Sequence, residues 1–105
     1  MEVTVVIPNY NGIRYMEACL DSLYRGSMIP EVIVIDNASH DGSAELVEEK
    51  YPQCRLIRFS ENTGFCVAVN EGIRQAGSEY VILYIPVDDI DIIYHLPESR
   101  TEFST

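Results

Sequence analysis

Val3-Thr-Val-Val-Ile7 is a short, β-branched apolar run that stops at Pro8 and gives way to Asn9-Tyr-Asn-Gly12. An unbroken apolar run of this length reads as a strand buried on both faces, and the turn residues after it as a loop with a helix cap. Met16, Cys19, Leu20 and Leu23 then recur at helical spacing, while Arg14, Glu17, Asp21 and Arg25 occupy the opposite stripe. The spacing predicts an amphipathic helix. Gly26 and Pro30 close it ahead of a second buried strand, Val32-Ile-Val-Ile35.

The unit repeats. Asp36-Asn-Ala-Ser-His-Asp-Gly42 is a polar loop in which Asp41 reads as the cap of a second helix, with Ala44, Val47 and Tyr51 inward and Pro52 as its stop. Leu56 to Phe59 is a third strand, Glu61-Asn-Thr-Gly64 the next loop, and Phe65, Ala68, Gly72, Ile73 and Ala76 a third helical stripe. A fourth strand follows from Tyr80 to Ile85. Strands alternating with helices through short loops predict an α/β fold: a three-layer α/β/α arrangement around a mainly parallel sheet, βαβαβαβ. Pro86 is expected to break the fourth strand, and Ile90, Ile92, Ile93 and Tyr94 to form one more short strand. The domain is expected to run over 1–96, with 97–105 a polar tail.

At 105 residues the chain is sized for one domain, and its 47% hydrophobic content excludes a disordered polymer. No apolar run reaches the roughly 18 residues of a membrane span, and no basic stretch leads into a signal-peptide core, so a cytoplasmic product is expected. Seven basic against 17 acidic residues leave a formal charge of −10, which repels phosphate backbones and argues against nucleic acid as partner. From Glu79 onward the acids Asp88, Asp89, Asp91, Glu98 and Glu102 face a single base, Arg100. Cys19, Cys54 and Cys66 match neither zinc nor redox spacing and read as free thiols, while His40 and His95 read as surface residues.

In an open parallel sheet, ligands sit beyond the carboxyl ends of the strands, where strand order reverses. The loops there are Pro8–Gly12, Asp36–Gly42, Glu61–Gly64 and Pro86–Asp91. Tyr10 is suited to stack on a base. Asp36, at a strand end facing the cleft, is suited to accept a hydrogen bond from a pyrimidine N3–H or a ribose hydroxyl, with Asn11, Asn37 and Ser39 as further polar contacts. The pair Asp89-x-Asp91 has the oxygen ligands that Mg²⁺ or Mn²⁺ prefers and is a candidate metal site. The first strand is followed by neither Gly-x-Gly-x-x-Gly nor a Walker lysine motif, which disfavours dinucleotide oxidoreductases and P-loop nucleotidases.

Val5-Val-Ile-Pro-Asn-Tyr-Asn-Gly12, Val34-Ile-Asp-Asn-Ala-Ser-His-Asp-Gly-Ser43, and Glu61-Asn-Thr-Gly-Phe65 with Asn70-Glu-Gly-Ile73 resemble the N-terminal half of family-two glycosyltransferases. The likeness runs from about Val3 to Leu83, and the Asp-Asn-Ala-Ser form is similar to the rhamnosyltransferase-like subgroup. The resemblance implies a GT-A fold, that of nucleotide-diphospho-sugar transferases, and inverting transfer of a sugar from a UDP or dTDP donor to a polysaccharide or lipid-linked acceptor. It implies that Pro8, Tyr10 and Asn11 line the base and ribose pocket, that Asp36 meets the pyrimidine with Asn37 and Ser39 nearby, and that Asn62 and Asn70 lie around the donor cleft.

The family places its metal-binding acids directly after the fourth strand, whereas Ile85-Pro-Val87 stands there and Asp89-x-Asp91 comes later. No segment resembles the half of the family that holds the acceptor site and the catalytic base, so little transfer by this chain alone is expected. A non-catalytic nucleotide-sugar-binding or partner module is the alternative, with peripheral attachment at the inner membrane face compatible with either. A receiver-like signalling domain is disfavoured, because Pro8-Asn9 stands where an acid pair is needed. The exposed Ile90–Tyr94 segment is expected to pair with another copy into a dimer or higher oligomer.

Overall fold

A computed structural model describes residues 3–27, 29–87 and 90–96, with side chains described between 3 and 85. The elements are β1 (Val3–Asn9), α1 (Ile13–Tyr24), β2 (Glu31–Asp36), α2 (Ser43–Lys50), β3 (Arg55–Arg58), α3 (Phe65–Gln75), β4 (Tyr80–Val87) and β5 (Ile90–Leu96). The sheet order is β3-β2-β1-β4-β5, parallel from β3 to β4, with β5 antiparallel at the edge.

The alternation of Cβ atoms along each strand divides the apolar runs between two cores. Val5, Ile7, Val32 and Val34 meet Met16, Cys19 and Leu20 of α1 and Val47 of α2 on one face. Val6, Ile33, Ile35, Val81 and Leu83 meet Ala68, Val69 and Ile73 of α3 on the other. Helices cover both faces, which is why these strands read as continuous rather than alternating apolar runs. Gly72 lets α3 close on the sheet: a methyl there would overlap Cγ1 of Val6 and stand 3.4 Å from Cγ1 of Ile35.

One expectation needs correction. Pro86 does not end β4, which continues to Val87 with Pro86 opposite Asp91. Pairing of β4 with β1 stops at Leu83, so Pro86 has a strand on one side only, a position where a missing amide hydrogen is tolerated. The further short strand expected over Ile90–Tyr94 is present as β5, and it runs antiparallel to β4. Cys19 and Cys54 are buried free thiols, and burial pushes the Cys54 thiol up to about 11. That keeps it protonated and unreactive at neutral pH. Residues 97–105, including the expected tail, lie outside the described residues.

Candidate functional site

The chain runs outward through β1, β2 and β3, then returns through α3 to place β4 on the other side of β1. Beyond the carboxyl ends of β1 and β4 lies a cavity of about 250 Å³. Pro8, Asn9, Tyr10 and Asn11 line it from the end of β1, Asn37 from the β2–α2 loop, Phe65 from the start of α3 and Ile85 from β4.

The floor of the site is a network centred on Asn9, which is 4% exposed. Its Nδ2 donates to Oδ1 of Asp36 at 2.8 Å and to Oγ of Ser43 at 2.9 Å. Asp36 is 1% exposed and also accepts from Oγ of Ser39 at 2.7 Å and from the Ser39 amide at 3.0 Å. Contrary to the expectation that Asp36 faces the cleft, its carboxylate is turned inward and holds its own loop. Strand alternation does not fix the direction of the last residue of a strand, and a buried carboxylate goes where donors are offered.

Asn11 and Ala38 adopt left-handed backbone conformations (φ 54° and 63°) and lie on the two loops that meet. The Asn11 amide donates to Oγ of Ser39 and Oδ1 of Asn11 accepts from the His40 amide, each at 2.8 Å. Asn37 reaches the third loop: its Oδ1 accepts from the Thr63 amide at 2.8 Å and its Nδ2 donates to the Gly64 carbonyl at 2.9 Å. Tyr10 stands apart from this network with its ring 51% exposed on the cavity wall.

Of the residues expected around a ligand, Pro8, Tyr10, Asn11 and Asn37 therefore come together on the wall, while Asp36 and Ser39 sit directly behind it. Asn62 accepts from the Gly64 amide within its own turn, and Asn70 is half-buried along α3. Asn9 was legible only as a turn residue. Its single available signal was an amide side chain placed one residue before an exposed tyrosine at the end of an apolar strand.

The N-cap of α2 is Gly42 rather than the expected Asp41, whose carboxylate instead reaches the first turn from one residue before it. Oδ1 of Asp41 accepts from the amide and Oγ of Ser43 at 2.9 and 2.6 Å, and its Oδ2 accepts from the Ile13 amide at 2.9 Å. It thus ties the start of α1 to the start of α2, where Gly12 offers no side-chain cap. Burial pushes its carboxyl up, but the hydrogen bonds from Ser43 and Ile13 outweigh that and leave it below the ordinary value of 3.8. A depressed carboxyl stabilises the fold above its unfolded pKa and loses that contribution as pH falls through the folded one. Asp41→Asn is therefore expected to lower thermal stability at pH 7 and to approach the parent protein as pH falls below the ordinary carboxylate range. Parallel melting curves with a constant offset at all pH values would refute the assignment.

The candidate metal residue Asp89 and the side chain of Asp91 lie outside the described residues. Among the described residues, no three His, Cys, Asp or Glu side chains gather to hold a cation. Asp36 and Asp41 already accept protein hydrogen bonds, so the described part of the site does not fit a metal by itself. Among those residues, no helix is long and apolar enough to cross a membrane.

Comparison with known proteins gives this architecture relatives. An uncharacterized glycosyltransferase of Escherichia coli, YibD, is 35% identical over 92 residues, covering 84% of this chain and 26% of its own length. The Pyrobaculum calidifontis mannosyltransferase PcManGT, solved with GDP-Man and Mn²⁺, superposes with a TM-score of 0.71 at 33% identity, over 80% of this chain and 27% of that one. S. aureus TarS in complex with UDP-GlcNAc superposes with a TM-score of 0.74 at 26% identity, over 81% and 26%. The chain thus spans about a quarter of the length of these relatives. The profile of Glycosyl transferase family 2 matches residues 4–94, and the chain belongs to that family.

Proposed function

We propose that this chain is the donor half of an inverting glycosyltransferase and binds a pyrimidine nucleoside diphosphate sugar, linked to UDP or dTDP, in the cavity beyond β1 and β4. The observation that carries the reading is Tyr10, an aromatic ring half open to solvent on a cavity wall shared with Asn37. An exposed ring offers a base a stacking face, while the Asn37 carboxamide is committed to Thr63 and Gly64 and holds the wall behind it. Pro8 and Asn11 complete the base and ribose wall. Asp36 and Ser39 act through the loop they hold rather than by touching the ligand.

The cavity is sized for a nucleobase. At about 250 Å³ it falls below the ~300–1,000 Å³ of a complete small-molecule pocket, which suits the base end of a donor whose sugar lies outside. The UDP-GlcNAc complex of TarS favours a pyrimidine, and the GDP-Man complex of PcManGT is the competing case. Mg²⁺ or Mn²⁺ belongs to this reading through Asp89 and Asp91, where it would offset the charge of the diphosphate.

In the whole enzyme an acceptor hydroxyl, on a polysaccharide or a lipid-linked glycan, displaces the nucleoside diphosphate from the anomeric carbon and gives its proton to a carboxylate base. This chain binds and orients the donor for that step. The reading places the protein in the cytoplasm, at the inner membrane face where the acceptor is lipid-linked. It also leaves the edge strand β5 to pair with a second copy.

Calorimetric titration with UDP, dTDP and GDP, each with and without Mn²⁺, is the test. A pyrimidine nucleotide is expected to bind more tightly than GDP, and Tyr10→Ala to weaken that binding on the order of tenfold, since one base–aromatic stack contributes ~1–3 kcal/mol. Equal affinity for GDP would remove the pyrimidine assignment, and no binding to any of the three would remove the donor site. A non-catalytic nucleotide-sugar-binding module is the second reading. It would show saturable binding but no transfer when the remaining part of a family enzyme is supplied.

A further inference from the structure

Phe65 is the first residue of α3, 39% exposed, and lines the same cavity as Tyr10 and Asn37. Its position is set by an unusually well-tied turn. Asn37 accepts from the Thr63 amide at 2.8 Å and from Oγ1 of Thr63 at 3.1 Å, and donates to the Gly64 carbonyl at 2.9 Å. Asn62 accepts from the Gly64 amide at 2.9 Å, and Gly64 itself sits at φ 91°, a conformation that glycine adopts without strain. Three hydrogen bonds with one buried carboxamide, two of them to backbone, thus hold the turn that carries Phe65. An aromatic side chain has only two rotatable bonds, so one placed on a cavity wall by a fixed backbone loses little entropy when a flat ligand covers it.

We infer that Phe65 is a second aromatic contact to the nucleobase, completing with Tyr10 an aromatic base site whose spacing is set by Asn37. The inference rests on the donor-site reading above. It assigns the β3–α3 turn a binding role, where the sequence suggested only Asn62 as a neighbour of the cleft. Phe65→Ala weakens UDP or dTDP binding by roughly five- to tenfold, while Phe65→Tyr stays within about twofold because the π face is retained.

The chain contains no tryptophan, so Phe65→Trp creates a unique fluorophore at this wall. Two further single-tryptophan variants calibrate it: Tyr10→Trp in the same cavity, and Val67→Trp, which is 51% exposed on α3 outside the cavity lining. Thermal melts of each variant establish that the fold is kept. Titration with UDP and dTDP is expected to change the emission of Phe65→Trp and Tyr10→Trp saturably, with a shared midpoint, and to leave Val67→Trp unchanged. If Tyr10→Trp responds while Phe65→Trp is silent and Phe65→Ala binds like the parent protein, Phe65 does not touch the base and the donor site stands without it. If neither responds and calorimetry of the parent protein shows no binding, the donor site and this contact fall together.

Discussion

Asn9→Leu is expected to lower the unfolding free energy by about 3 kcal/mol, the largest loss of any single side-chain change at the site. Leucine fills the same space but offers no donor. Asp36, 1% exposed, then loses one of its hydrogen bonds, and Oγ of Ser43 loses the donor it accepts from. An unsatisfied buried acceptor costs ~1–3 kcal/mol, and more when it is charged. For a domain of this size the loss corresponds to a fall in Tm of roughly 12–20 °C.

Asn9→Asp separates this explanation from general core damage. It would place a second carboxylate against Asp36, and two buried carboxylates at that distance cannot both ionise. At least one of the pair keeps its proton to higher pH in the folded than in the unfolded chain, so the variant is stabilised in acid and loses stability as pH rises towards neutrality. Chemical denaturation at pH 5 and pH 7.5 reads the difference directly. A variant equally stable at both values would show that Asn9 and Asp36 are not partners.

Gly72→Ala is expected to be the second large effect, and here two forces oppose each other. Alanine in place of glycine inside a helix gains up to ~1 kcal/mol. Against that, the new methyl would overlap Cγ1 of Val6 and press on Cγ2 of Val6 at 3.3 Å and Cγ1 of Ile35 at 3.4 Å. Val6 is fully buried on a strand paired on both sides, and β-branched residues have few rotamers to move into, so the helix must shift instead. Overpacking of this kind costs ~1–3 kcal/mol and outweighs the propensity gain. The double variant Gly72→Ala with Val6→Ala should lose less than the sum of the two single changes, because the second makes room for the first. A raised Tm in Gly72→Ala alone would mean that α3 stands farther from β1 than described.

Both predictions turn on residues whose roles the sequence only half discloses. The buried runs at Val3–Ile7 and Val32–Ile35, each broken by polar turn residues, suffice to define strands and three layers, because burial on both faces leaves an unmistakable composition. Gly72 was visible as part of the stripe on α3, but its close approach to Val6 is a distance between elements that no local pattern encodes. The site loops were legible as loops and as carriers of amide, hydroxyl and carboxylate groups. Which of those groups turn inward was not, because Asn9 meets Asp36 and Ser39 across 27 and 30 residues of chain. Pro86 misled for a related reason: proline is excluded from a strand only where its missing hydrogen is needed, and that depends on a neighbour far away in sequence.

The sheet order also sets a timetable for synthesis. Everything that shapes the Asn9 network, from β1 to Ser43, leaves the ribosome before β4 exists. The β1 edge that will become the centre of the sheet, Val3 to Val6, waits for Tyr80 to Leu83. At ~5–20 residues per second, the stretch between the end of β3 and the start of β4 takes about 1–4 s to translate. Through that interval the nascent chain presents its most apolar strand with one edge unpaired, open to capture by another chain. A ribosomal pause between codons 59 and 79 would therefore do more harm to the yield of folded protein than a pause of equal length before codon 30.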